Sequence, residues 1–102
     1  MPRETFEINE HPLPTKSTQF SLNLSSKFDV VGTALNKQHE PVLIVREMIT
    51  GVAFAQTFTT IATGERFTDD VGGPHNSTPK RAMLGTFDWN GKLFHVLGER
   101  SS

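Results

Sequence analysis

The chain contains no cysteine, which excludes disulfides, thiolate chemistry and thiolate zinc sites together. It also lacks a surplus of charge: ten Lys and Arg stand against eleven Asp and Glu, a formal net charge of -1. A duplex or an anionic bilayer selects for a positive excess, so nucleic acid is a disfavoured partner. No apolar run approaches the ~18–20 residues that span a membrane, and Met1 to Pro14 carry neither the apolar stretch nor the cleavage site of a secretory signal. The expectation is a cytoplasmic protein without a membrane partner, in which the Asn76-Ser77-Thr78 sequon is a polar loop.

The length of 102 residues fits one domain and leaves no room for a separate cofactor or regulatory domain. Apolar residues make up 35%, and adding the glycines brings the set to about 43%, just under the globular norm. The core is expected to be thin, and homo-oligomerisation is expected to supplement it.

What the sequence does have is a period of two. Phe20, Leu22 and Leu24 alternate with Ser21, Asn23 and Ser25, one apolar and one polar face, until Ser25-Ser26-Lys27 breaks the pattern. From Phe28 to Leu35 both parities are apolar, with Gly32 predicting a bulge or close packing. Asn36 to Glu40 reads as a polar turn, and Pro41 opens Val42 to Met48, the most hydrophobic run and the expected central strand. Ala53 to Ile61 reads as strand on its threonines; Phe54 and Phe58 share parity with Gln56 and Thr60, a core face or an intersubunit face. Asn90-Gly91 predicts a type I′ hairpin that pairs Trp89 with Lys92, Phe87 with Phe94, Thr86 with His95 and Gly85 with Val96. That register puts Phe87, Trp89, Phe94 and Val96 on one face and Leu84, Thr86, Leu93, His95 and Leu97 on the other. A weaker strand is expected around Thr5 to Ile8, with residues 1–14 otherwise a loosely packed arm. With about seven short strands and no helix, the predicted fold is all-β, a small antiparallel β-sandwich or barrel.

The longest irregular segment runs from Thr63 to Arg81, and connections of that length are usually functional or disordered. Two readings stand. It is a solvated connection, or a ligand- or partner-binding loop in which Gly72 and Gly73 let backbone N–H groups approach an anion while Arg66, Lys80 and Arg81 supply charge. Asp69, Asp70 and His75 carry metal-ligating groups, but their spacing matches no metal loop, so no metal is expected. His95 is expected to hydrogen-bond Thr86 across the hairpin, because no nucleophile and orienting acid flank it. His11 and His39 sit in polar, turn-like contexts. Trp89 and Lys92 at the hairpin tip are candidate interface anchors, or Trp89 closes one end of the core. No phosphate loop, nucleophile elbow or zinc helix occurs, so neither catalytic residues nor a cofactor are expected.

Three segments resemble the layout of a family of short tailed-phage and prophage proteins of unknown function. They are His11-Pro12-Leu13-Pro14 leading into Gln19-Phe20-Ser21-Leu22; the Ala62-Thr63-Gly64 turn; and Leu84-Gly85-Thr86-Phe87 with Phe94-His95-Val96-Leu97. The chain departs from that layout at Ser25-Ser26-Lys27-Phe28, where a Pro-Gly-Ala-like turn is expected, and within Leu43-Ile44-Val45, where a Trp is expected. The resemblance implies a phage-encoded accessory protein with a compact β fold and transfers no catalytic residue. The function expected is a non-enzymatic binding protein acting on a host protein, as counter-defence or host-takeover inhibitors do. Two alternatives stand beside it: an oligomer sequestering a small anionic ligand such as a nucleotide signal, and a virion component whose edge strands pair with neighbours.

Overall fold

The computed structural model describes residues 3–49, 52–68 and 81–102, and every regular element in them is a β-strand. In chain order these are β1 (Phe6–Pro12), β2 (Thr18–Ser25), β3 (Phe28–Leu35), β4 (Pro41–Met48), β5 (Ala53–Ala62), β6 (Ala82–Trp89) and β7 (Lys92–Gly98). They form two separate antiparallel sheets, β1-β4-β3 and β2-β5-β7-β6. The molecule measures 19 Å along its thin axis against 47 and 44 Å, as two sheets stacked ~10 Å apart require. Of the two expected architectures, this is the β-sandwich.

The hairpin register follows the sequence reading from Trp89↔Lys92 to Gly85↔Val96. Asn90 and Gly91 have φ of 53° and 79°, the pair of positive values a type I′ turn demands and that Asn and Gly reach most cheaply. The rings of Phe87 and Phe94 stack at 5.3 Å. The expected place of Leu84, on the face of Thr86, Leu93, His95 and Leu97, is corrected. The register shifts between Met83 and Gly85, a bulge that turns Leu84 inward, and the residue is 3% exposed within the core. Gly32 marks a second bulge, between Val30 and Gly32. The N-terminal segment, expected to be a loose arm beyond a short strand, pairs with β4 from Phe6 to Pro12.

Leu43 and Val45 of β4 and Phe28 and Val30 of β3 pack against Leu24, Phe58, Phe87, Phe94 and Val96 of the opposite sheet. At the β3/β6 side the sheets meet closely: Thr33 Oγ1 donates to the Thr86 carbonyl at 2.7 Å. The tail after β7 crosses back to β3, where Val30 N–H donates to the Arg100 carbonyl and Ser102 N–H to the Phe28 carbonyl. These contacts join the sheets along that side, and β1 and β2 are the edge strands on the opposite side.

Gly98 sits where this packing leaves no room. A Cβ there would lie 2.3 Å from Phe58 Cδ1 and 3.3 Å from Leu84 Cδ1. Gly98→Ala is therefore expected to lower stability by about 1–3 kcal/mol through overpacking. Urea unfolding checks this; an unchanged midpoint would mean the Phe58 ring moves aside without cost.

Candidate functional site

Three clusters of polar or aromatic side chains stand out. The first is built on Glu47, the single acid in the most hydrophobic strand, whose alternation turns it toward the interior beside Val45. One carboxylate oxygen accepts the Ser25 N–H at 3.0 Å, and the other accepts Asn9 Nδ2 at 2.9 Å and His11 Nε2 at 2.8 Å. A carboxylate only accepts, so Nε2 of His11 carries the proton in this contact. Burial pushes the Glu47 carboxyl up, but the bonds from Asn9, His11 and Ser25, with the charge of His11, outweigh it and hold the group below its ordinary value. Glu47 thereby ties β1 and β4 of one sheet to β2 of the other. The sequence reading placed His11 in a turn and did not single out Glu47. A lone acid inside an apolar central strand was the available signal, since such a group must find donors.

The second cluster surrounds His95. Thr86 Oγ1 lies 3.0 Å from Nδ1, the expected cross-strand bond, and Thr63 Oγ1 lies 2.6 Å from Nε2. Both ring nitrogens are engaged, and this pins the start of the long β5–β6 connection to β7.

The third is the end of the sandwich at Trp89. This residue closes β6, faces Lys92 across the turn, and packs half-buried against the core. An open cleft of about 350 Å³ lies on one side of it, lined by Lys16, Ser17, Glu65, Lys92 and Phe94. A second, of about 310 Å³, is lined by Pro12, Leu13, Glu40, Pro41 and Val42. Trp89 and Thr15 border both. Trp89, with Thr15, thus forms a ridge between a cleft with two lysines and a glutamate and one lined mainly by prolines and aliphatic side chains. The cation–ring contact among the described residues is elsewhere, with the Arg46 guanidinium 5.4 Å from the Phe6 ring centroid.

Of the loop residues singled out in the sequence, Asp69, Asp70, Gly72, Gly73, His75 and Lys80 lie outside the described residues, as does the Asn76 sequon. Arg66 is exposed. Arg81 donates to Thr59 Oγ1 at 2.6 Å and to the Thr68 carbonyl at 3.1 Å. The strands therefore bring Trp89 and Lys92 together, and Arg81 is drawn onto β5. Among the described residues no three His, Asp or Glu side chains converge as a metal site, and no helix is long and apolar enough to cross a membrane.

The architecture defines an antiparallel two-sheet β-sandwich. Compared with protein-family models, curated proteins and solved structures, the chain matches none.

Proposed function

We propose that the protein is a non-enzymatic binding protein, a phage accessory factor that acts by occupying a surface of a host protein. The observation that carries this reading is the Trp89 ridge. A large ring, anchored on the core and open to clefts on both sides, is the kind of pre-organised aromatic group around which protein–protein binding energy concentrates. Lys16 and Lys92 are accompanied by Glu65 in the one cleft, and Glu40 lines the other, so the rim offers a partner both signs of charge. The alternative of anion sequestration leans on Arg66, Lys80 and Arg81. It is less favoured because the Arg81 guanidinium is already committed to Thr59 and Thr68.

Affinity capture from host lysate tests the reading. The wild-type chain is expected to retain a discrete host protein; Trp89→Ala is expected to weaken binding by at least ~2 kcal/mol, as for an interface hot spot, and Lys92→Glu to weaken it less. Capture insensitive to both changes, with the fold intact by circular dichroism, would move the partner surface elsewhere. No captured protein from any candidate host would overturn the reading.

A further inference from the structure

The two sheets have four edge strands; β3 and β6 are engaged with each other and with the C-terminal tail, which leaves the edges of β1 and β2. They are not equivalent. β1 contains Glu7 and Glu10 and ends in Pro12, the charges and proline that discourage strand addition. β2, Thr-Gln-Phe-Ser-Leu-Asn-Leu-Ser, has no charged residue and no proline along its length.

The hydrogen-bond parity of β2 can be derived. Ser26 N–H donates to the Val52 carbonyl, in line with the register that pairs Leu24 with Phe54, Leu22 with Gln56 and Phe20 with Phe58. Bonded positions alternate along an antiparallel ladder, so Phe20, Leu22 and Leu24 direct their backbone groups at β5, and Gln19, Ser21, Asn23 and Ser25 direct theirs at the open edge. Ser25 bears this out, since its N–H is the one taken by Glu47 from the other sheet. Among the described residues no group accepts the N–H of Gln19, Ser21 or Asn23; the Gln19 carbonyl receives the Thr18 hydroxyl at 3.2 Å.

We infer that the β2 edge is the docking surface for a second copy of this chain, which adds its own β2 antiparallel to form a continuous sheet across a two-fold axis. The self-complementarity of the strand selects this occupant. With Ser21 opposite Ser21 on the axis, Gln19 of one copy faces Asn23 of the other, and the outward backbone groups form about six hydrogen bonds. In the same register Phe20 of each copy lies opposite Leu22 of the other on the core-facing side. Both side chains are half-buried, so pairing covers the apolar surface that the single sandwich leaves open, and no charge within β2 is buried. The proposal is independent of the Trp89 ridge, which lies on β6.

Sedimentation velocity of the full chain at micromolar concentrations, together with amide exchange by NMR, tests it. The wild type is expected to be a dimer in which the Gln19, Ser21 and Asn23 amides are protected. Ser21→Pro removes an N–H that the β2–β5 ladder does not use, so the monomer fold is expected to survive while the dissociation constant rises at least about 100-fold. Asn23→Lys is expected to act in the same direction through charge at the edge. A wild type that stays monomeric would overturn the proposal. So would a dimer unaffected by either change, or one in which those three amides exchange freely. A monomer that captures a host protein and loses it on Ser21→Pro would also overturn it, making a host strand the occupant of this edge. Capture lost with Trp89→Ala but not Ser21→Pro bears on the host-binding reading alone.

Discussion

Phe58→Ala is expected to be the most damaging single substitution in the chain, lowering stability by about 3–5 kcal/mol. The ring is 1% exposed, stacks on Phe20 at 5.8 Å and fills the space that Gly98 leaves on β7. Its neighbours belong to strands held by backbone ladders, so they can close on the void only partly, and the lost transfer energy is joined by a cavity cost. A domain of this size has roughly 5–15 kcal/mol in all. The variant is therefore expected to unfold at much lower urea concentration, with the slope of the transition unchanged if the native state stays intact. A midpoint shift corresponding to less than about 1 kcal/mol would mean that the two sheets slide together over the vacated site.

Glu47→Gln is expected to have the second largest effect, about 2–3 kcal/mol at neutral pH. The amide keeps the shape of the side chain but replaces one accepting oxygen by a donor, while three donors converge on the site: Ser25 N–H, Asn9 Nδ2 and His11 Nε2. At least one of them loses its acceptor in a nearly closed environment. The pH dependence has a definite sign. The folded carboxyl is held below its ordinary value of 4.5, so the ionised form favours the native state. That contribution is complete above the unfolded value and fades as pH falls through the lower folded value. Urea unfolding of the wild type and Glu47→Gln should therefore show a gap that is constant near neutrality and narrows below pH 4.5. A gap that persists unchanged into that acid range would show that the loss is one of packing, without an electrostatic part.

The strands were legible because their signals are local. Asn90-Gly91 specifies its own turn, and the five residue pairs that follow from it need no knowledge of the rest of the chain. The register reading failed at Leu84, where a bulge inverts facing without any glycine or proline at the residue itself. Phe54 and Phe58 illustrate a second limit. They share one face, yet Phe58 is sealed and Phe54 is 53% exposed, because coverage depends on how far the opposite sheet reaches and not on periodicity. The Glu47 cluster joins strands 22 to 38 residues apart, and no local window contains it. At the candidate site, the pairing of Trp89 with Lys92 was readable. The clefts beside Trp89 were not, since their walls come from the segment around Thr15 and the turn before β4.

The order of strands also has a kinetic meaning. Only β3–β4 and β6–β7 join strands that follow one another in the chain. The other three pairings must close long loops, which makes them the slow steps of folding. In one sheet β1 joins the β3–β4 hairpin, and in the other β5 links β2 to the β6–β7 hairpin. Both edge strands thus depend on a long-range closure, and assembly through β2 would need its own closure made first, because only the β2–β5 ladder sets which backbone groups of β2 point outward.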